Sequence, residues 1–201
     1  MSDDLYSGPV WAVARALIGA VVRHGETAGV IVETEAYHES EPACHAHIGR
    51  TPRTLTLFGP PGRAYVYRSY GVHAMLNAVS EPEGIGAGVL IRALEPCDGI
   101  ELMRARRGRE RLEELCCGPG NLTRALGIEL VHNGLDLGAG PVTISPPQGP
   151  AREIVVSRRI GITKAVDLPW RFSLRGSRFV SRGGGGSGRS VGTAALSRAA
   201  R

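Results

Sequence analysis

The sequence predicts a single α+β domain over residues 1–182, followed by a disordered tail over residues 183–201. The chain of 201 residues is long enough for one ordinary domain, and its 42% hydrophobic and 21% charged residues are close to globular averages. Strand patterns dominate up to residue 97, whereas helical patterns dominate over residues 98–127. The tail begins with RGGGGSG at residues 182–188, a composition typical of a flexible linker.

The individual elements follow from apolar spacing and from glycine and proline signals. Residues 38–62, rich in Gly, Pro, Thr and His, form a loop longer than a mere connector, and such loops are usually functional. A hairpin follows, with Tyr70-Gly71 near its tip. The predicted helices are Pro9–Ile18, Ile100–Arg107, Glu110–Leu115 and Leu122–Leu126. The predicted strands are Val21–His24, Gly29–Tyr37, Arg63–Ser69, His73–Ser80, Gly88–Leu94, Val142–Ser145, Glu153–Val156 and Trp170–Val180.

Charge and composition exclude several classes of protein. Arg15 and Arg23 interrupt the best apolar run, so no membrane span is predicted, and the acidic start is wrong for a secretory signal. The four cysteines show no metal-binding spacing, which indicates reduced thiols in a cytoplasmic protein. The net charge is +5, but residues 183–201 supply three of these charges. Charge alone therefore neither requires nor excludes a nucleic-acid partner.

Four of the five tyrosines lie within 34 residues, at positions 37, 65, 67 and 70. Strands favour tyrosine, so these side chains could simply belong to the core or to a sheet edge. Tyr70 is different, because a core tyrosine does not usually occupy the tip of a hairpin. A bulky side chain displayed there has the shape of a wedge that could enter a base step of DNA.

The predicted strand with the sequence VIVETEAY, residues 30–37, carries two carboxylates. Alternation predicts Ile31, Glu33, Glu35 and Tyr37 on one face of the strand. That face could be merely solvated, but the flanking apolar residues indicate partial burial. A buried glutamate that acts as an ionised base needs a charged partner, and Arg92, within the apolar run at residues 89–94, is the candidate.

Three histidines lie close together, at positions 38, 45 and 47. They match no tetrahedral zinc spacing, and no metal site is predicted. His45 stacked in a pocket, or His45 and His47 as ordinary loop residues, are the better interpretations.

Motifs along most of the domain resemble one family. In order they are VETEAY (32–37), ACH (43–45), GRTPRT (49–54), YVYRSYG (65–71), VLIRALEP (89–96), CGPGNL (117–122) and RGS-x-x-VS (175–181). The chain is similar to a 3-methyladenine DNA glycosylase of the alkyladenine type. Asn121 stands where that family often carries Lys, and Val72 replaces a bulkier residue of some members.

The resemblance implies a curved, open barrel-like antiparallel sheet with surrounding helices and a protruding hairpin. It implies a monofunctional base-excision enzyme without cofactor, acting as a monomer on double-stranded DNA with damaged purines, in the cytoplasm and at the nucleoid. By position, Glu35 would activate water, with Arg92 and the Ile160 carbonyl holding that water. The other implied site residues are Tyr37, His45 and Tyr67 around the flipped base, Asn77 against the amino group of guanine, and Tyr70 with Val72 for intercalation.

Two other functions remain open at this stage. An O-glycoside hydrolase could use Glu33 and Glu35 as its acid and base, although the sequence offers few aromatic platforms for sugars. A DNA-binding module that senses lesions with an inert pocket is the second alternative, although the presence of both Glu35 and Arg92 speaks against it.

Overall fold

The structure is a computed structural model that describes residues 5–181, which form a curved, antiparallel eight-stranded sheet with helices packed against it. The predicted α+β class and the predicted open, barrel-like sheet are confirmed. The predicted tail over residues 183–201 lies outside the described residues. None of the helices formed by residues 5–181 is long and apolar enough to cross a membrane.

The elements lie close to their predicted positions. The helices are α1 (Val10–Ala16), α2 (Ile100–Arg107), α3 (Leu112–Leu115) and α4 (Pro119–Leu126). Short 3₁₀ turns occupy His45–Ile48, Leu55–Phe58 and Leu130–His132. The strands are β1 (Val21–His24), β2 (Thr27–His38), β3 (Ala64–Ser69), β4 (His73–Val79), β5 (Ala87–Asp98), β6 (Val142–Ser145), β7 (Ile154–Ser157) and β8 (Arg171–Leu174).

Strand β2 is the centre of the sheet. Strand β5 pairs along one edge of it, in the order β3-β4-β5-β2-β1-β6. The other edge of β2 is shared, because β1 pairs with its first half and β8 pairs with Glu33, Thr34 and Glu35. The backbone of the two-carboxylate segment therefore pairs with a strand on each edge, and the Glu33 and Glu35 side chains are both fully buried.

Two irregularities in the β2–β5 pairing correct the predicted strand face. Ile31 pairs with Leu94, Glu33 with Ala93 and Thr34 with Ile91, so Val32 is extra on β2 and Arg92 is extra on β5. Ile31 joins the main core, whereas Val32 packs with Ala93 and Phe179 in a separate cluster on the other side. The prediction that Ile31 shares a face with Glu33 is therefore wrong, because a bulge breaks the two-residue period.

The predicted strand Trp170–Val180 is also too long. Strand β8 ends at Leu174, and the chain turns through Gly176, whose φ of +73° lies in the left-handed region. Glycine adopts this conformation without steric cost, so the strand stops there. Conversely, β5 continues to Asp98, four residues beyond the predicted Leu94.

Two apolar clusters matter for the site. The main core lies between the helices and the sheet, with Leu17, Leu76 and Phe172 among its fully buried side chains. A second cluster lies between the segment that carries the first two 3₁₀ turns and the hairpin strands. It contains Cys44, Ala46, Leu57, Phe58, Tyr65 and Val79, and Tyr37 and Tyr67 pack against it. This second cluster fixes one wall of a cavity.

Candidate active site

A cavity of about 360 Å³ opens between β2, β5, the hairpin strands and the loop before β8. Its volume is at the lower end of the range for small-ligand sites, about 300–1,000 Å³, and suits a flat heteroaromatic ring. The lining brings together most of the residues singled out in the sequence, which are Tyr37, His45, Tyr67, Tyr70, Asn77, Arg92 and Ile160. Val72 is not part of the lining and lies exposed at the hairpin tip.

Glu35 lies directly behind the floor of this cavity, fully buried. Its Oε2 accepts hydrogen bonds from the Tyr37 hydroxyl at 2.8 Å and from Arg92 Nη1 at 3.2 Å, and its Oε1 accepts one from the Ile160 amide at 2.7 Å. All three donors belong to residues that line the cavity, although Glu35 itself does not. Burial raises the pKa of Glu35 above its usual range, and the Arg92 charge and the other two donors offset only part of that shift.

Ile160 contacts Glu35 through its amide nitrogen. The sequence-based expectation concerned its carbonyl oxygen as a water contact, and that role stays a prediction. The amide contact was not anticipated. It ties the loop before β8 to the carboxylate, and it gives Glu35 a donor that only a proline at position 160 would remove.

The Glu33 carboxylate accepts four hydrogen bonds, whereas the Glu35 carboxylate accepts three. Its Oε1 accepts from Arg92 Nε at 3.0 Å, from Arg171 Nε at 2.7 Å and from the Ser181 hydroxyl at 2.8 Å. Its Oε2 accepts from the Ser181 amide at 2.7 Å. Burial would raise the pKa of Glu33, but the two guanidiniums and the Ser181 hydroxyl outweigh burial and lower it. Glu33 thus stays ionised and orients the guanidinium that reaches Glu35.

Arg92 was predicted as the charged partner of a buried glutamate, and it contacts both Glu33 and Glu35. The bulge explains how one arginine serves both carboxylates, since an extra residue in β5 turns the Arg92 side chain onto the face that carries Glu33 and Glu35. A lowered pKa makes Glu33 unsuitable as the proton donor of an O-glycosidase pair, because a general acid must hold its proton near neutral pH.

An aromatic wall stands opposite the carboxylate. The Tyr65 and Tyr67 rings stack with centroids 5.4 Å apart, and His45 meets Tyr67 edge to face at 4.5 Å. His45 Nδ1 also lies 3.1 Å from the Tyr65 hydroxyl. Burial and the nearby Arg53 guanidinium lower the pKa of His45, so its ring is neutral near neutral pH. Burial raises the pKa of Tyr67 to about 12.

Asn77 completes this side of the cavity. It pairs with Tyr65 across the hairpin strands, and its side-chain amide donates to the Tyr65 carbonyl at 3.0 Å. The side chain is buried and cannot swing away without losing that bond. It can therefore limit which substituents a ring in the cavity carries at this edge.

The hairpin tip projects from the cavity mouth. Tyr70 is 92% exposed and Val72 is 74% exposed, so a tyrosine and a valine stand in solvent next to each other. Tyr70 also adopts φ of +48°, in the left-handed region that bulky residues rarely occupy. Strain of this kind persists mainly where function maintains it. The predicted position of Tyr70 at the tip is confirmed, whereas intercalation into DNA is untested.

The histidines form ordinary polar contacts. His38 bonds with Ser40 and lies 3.5 Å from the Glu81 carboxylate, and His47 Nδ1 lies 2.8 Å from the Glu39 carbonyl. Within residues 5–181, no group of three or more His, Cys, Asp or Glu side chains could hold a metal ion.

The model of the methylpurine-DNA glycosylase (MPG) family matches residues 4–178. The chain belongs to this family. DNA glycosylases act in DNA repair, and the resemblance seen in the motifs is confirmed.

Several bacterial relatives carry the name "Putative 3-methyladenine DNA glycosylase". One from Rhodopseudomonas palustris (strain HaA2) is 54% identical over 176 residues, covering 88% of this chain and 87% of the relative. One from Nitrobacter winogradskyi is 54% identical over 182 residues, covering 90% and 87%. One from Agrobacterium fabrum is 52% identical over 170 residues, covering 85% and 86%.

Sequence reasoning missed several residues that build this candidate site. Arg171 and Ser181 hold Glu33, and Ser181 lies within the RGS-x-x-VS motif, so a signal was present. Arg159 was also missed. It lies buried beside Tyr37, and only its position next to Ile160 could have suggested it.

Proposed function

We propose that the chain is a DNA repair enzyme that flips alkylated or deaminated purines out of duplex DNA and hydrolyses their N-glycosidic bond with a Glu35-activated water. Glu35 carries the proposal, because it is a fully buried carboxylate with a raised pKa, and its three hydrogen-bond donors line a cavity walled by aromatic rings. Carboxylates of this kind are matched to proton abstraction near neutral pH.

The hydrogen bonds of Glu35 indicate which oxygen meets the water. Oε2 already accepts two hydrogen bonds and Oε1 accepts one. A carboxylate oxygen has two lone pairs, so Oε1 retains an acceptor site beside the Ile160 amide. We assign the water to that site, where Arg92 and Tyr37 keep the carboxylate from rotating.

The reaction itself needs little further chemistry from the protein. As the bond from the base nitrogen to C1′ breaks, the sugar becomes oxocarbenium-like, and the Glu35 carboxylate stabilises that positive charge. The water then attacks C1′, and Glu35 takes its proton. A purine methylated at N3 or N7 already carries a positive charge, so it departs as a neutral base without a proton from the enzyme. A neutral lesion such as hypoxanthine departs as an anion and takes a proton from solvent, which balances the proton that Glu35 removes from the water and later returns to solvent.

Duplex DNA is the proposed substrate, with the enzyme acting as a monomer. Flipping a base costs a few kcal/mol, which a wedge in the vacated space and aromatic contacts in the pocket can offset. The hairpin tip with Tyr70 and Val72 provides the wedge, and Tyr37, His45 and Tyr67 provide the aromatic contacts. The guanidiniums of Arg53 and Arg68 are exposed beside the cavity, which suits the phosphates on either side of it.

The experiment is release of free base from alkylated duplex DNA under single-turnover conditions. We expect wild type to release base and Glu35→Gln to be at least about 100-fold slower, a typical contribution of a general base. Glu83→Gln is the matched control, since Glu83 is exposed and has no part in the proposed mechanism. Tight binding to the lesion without release would instead identify an inert lesion-sensing module, and cleavage of a chromogenic glycoside would identify an O-glycosidase.

A further inference from the structure

The Arg159 guanidinium covers one face of the Tyr37 ring. Its central carbon is 4.6 Å from the Tyr37 ring centroid and 5.5 Å from the Trp170 ring. Its side chain is 0% exposed, and Arg159 is absent from the residues that line the cavity. Tyr37 does line the cavity, so the opposite face of its ring is the one available to a base.

The guanidinium is anchored on one edge only. Nη1 donates to the Glu41 carboxylate at 2.6 Å and to the Ala36 carbonyl at 2.9 Å, and Nη2 donates to the Ala165 carbonyl at 3.2 Å. Among the described residues, the buried Nε has no hydrogen-bond partner. An unpaired buried donor is destabilising. This cost suggests a role beyond joining two segments of chain.

A positive charge behind Tyr37 changes what its front face can bind. The attraction of an aromatic face for cations comes from its electron density, and a guanidinium within about 6 Å already draws on that density. A second cation on the other face gains less attraction and meets the repulsion of the first charge. An uncharged, electron-poor base loses much less, because it has no net charge to be repelled.

We infer that Arg159 determines lesion specificity, by weakening the preference of the pocket for cationic bases over neutral damaged bases. The inference rests on the proposed function. Adenine methylated at N3 and guanine methylated at N7 are cationic in DNA, whereas hypoxanthine and ethenoadenine are neutral. Without the Arg159 charge, the aromatic pocket would bind cationic bases much better than neutral ones. With Arg159 present, neutral lesions can also be bound.

A purely structural role for Arg159 makes a different prediction. The residue precedes Ile160, whose amide bonds to Glu35, so its loss could displace that amide. Such a displacement slows water activation on every substrate by the same factor. The ratio of rates on cationic and neutral lesions separates the two roles, since only the charge effect alters that ratio.

The test uses two duplexes of identical sequence, one with 7-methylguanine and one with whichever neutral lesion wild type releases faster, hypoxanthine or ethenoadenine. The measured quantity is the ratio of single-turnover specificity constants, cationic over neutral. Arg159→Met should raise this ratio about three- to tenfold, the scale of a cation–π contact in a partly desolvated site. Arg159→Lys keeps the positive charge, so its ratio should stay within about twofold of wild type, even though both rates can fall because an ammonium does not reproduce the planar guanidinium contacts.

Glu41→Gln provides a second variant with the opposite sign. It removes the negative partner of the guanidinium and leaves its positive charge less compensated, so the ratio should fall below that of wild type. This variant keeps the inference testable if Arg159→Met fails to fold.

Three results separate the possible failures. An unchanged ratio in Arg159→Met, with both rates lowered equally, overturns the inference and leaves the glycosylase function standing. Release of 7-methylguanine but of neither neutral lesion by wild type also overturns it. Release of no base at all by wild type contradicts the proposed function instead.

Discussion

Glu33 and Glu35 lie two residues apart on one strand, yet their pKa values are displaced in opposite directions. Both are fully buried, so burial alone does not distinguish them. Glu33 is surrounded by two arginines and the Ser181 hydroxyl and amide, whereas Glu35 shares Arg92 and otherwise meets only the Ile160 amide and the Tyr37 hydroxyl. Two carboxylates with divergent environments commonly take separate roles. Here one orients the arginine, and we assign the reacting water to the other.

The pH dependence of excision should report the raised pKa of Glu35. The base acts as a carboxylate, so the rate should rise with pH and level off above the pKa of Glu35, which lies above that of an ordinary glutamate. The Tyr37 hydroxyl stabilises the charged form, and Tyr37→Phe should move the acidic limb to higher pH. Single-turnover rates from about pH 4 to about pH 9 measure this. A limb that moves to lower pH in Tyr37→Phe would contradict the assignment.

Glu33 should contribute to stability in a pH-dependent way. Its pKa is lowered on folding, so its stabilisation is complete above the pKa of an unfolded glutamate and is lost as pH falls through the folded value. Glu33→Gln should lower the free energy of unfolding by about 3 kcal/mol near neutral pH, because the half-buried Arg171 loses its counter-charge and the buried Arg92 loses one of its two. Urea denaturation at neutral and acidic pH measures the difference. The difference in free energy of unfolding between wild type and Glu33→Gln should become smaller at acidic pH. A difference that does not vary with pH would refute this role.

At the scale of the elements, the β3–β4 hairpin combines a regular ladder with a strained tip. Six residue pairs align from Ala64 with Ala78 to Ser69 with His73, and the turn is made by Tyr70, Gly71 and Val72. The ladder also carries Tyr67 and Asn77 into the cavity. One hairpin therefore couples the position of the wedge to the position of the pocket wall.

Loss of the Tyr70 side chain should lower the activity of the protein but raise its stability. Tyr70→Gly should stabilise the fold, because glycine accepts φ of +48° without strain, by up to about 1 kcal/mol. The same variant should excise more slowly from a fully paired duplex, by about five- to 100-fold, the scale of one stacking contact. Thermal unfolding and single-turnover excision measure the two effects, with Tyr70→Phe as the control that retains the ring.

The duplex comparison decides where Tyr70 acts. Excision from a lesion that is already unpaired should be much less affected, since no vacated space needs filling. Equal loss on paired and unpaired lesions would assign Tyr70 to the pocket rather than to the wedge.

Element positions could be predicted from the sequence far better than the details of strand pairing. The hairpin, β1 and α2 follow from alternation, turn residues and helical spacing, which are local signals. The bulges at Val32 and Arg92 are not local, because each depends on how β2 and β5 align across more than 50 residues. Arg92 was nevertheless identified as the partner of the glutamates, since an arginine within an apolar run requires a counter-charge. Arg159 lacks such a signal, because its partners Tyr37 and Glu41 lie more than 100 residues away in the chain.

At the scale of the whole molecule, the small number of amines limits which reactions the protein can catalyse. Strand cleavage by a glycosylase requires an amine that attacks C1′ and forms a Schiff base. Lys164 is the one lysine of the sequence and is exposed in the loop after Ile160, and the α-amine lies outside the described residues. The other basic side chains apart from histidine are arginines, which do not act as nucleophiles.

We therefore expect an intact abasic product. Denaturing gels should show strand breaks only after treatment with hot alkali, and borohydride added during turnover should trap no covalent complex of enzyme and DNA. Lys164→Ala should excise at the rate of wild type. A trapped complex that disappears in Lys164→Ala would refute the water-based mechanism.

The bonds from Ser181 to Glu33 have a consequence for how the enzyme is made. They join residues that are 148 positions apart, so the strand with both glutamates is synthesised long before the residue that completes its hydrogen bonding. A nascent or prematurely terminated chain without Ser181 carries Glu33 with two donors fewer, and Arg92 Nη2 loses the Ser181 hydroxyl as an acceptor at 3.3 Å. We therefore expect a chain that ends before Ser181 to release base more slowly than the full chain, because fewer hydrogen bonds hold its Glu33 and Arg92.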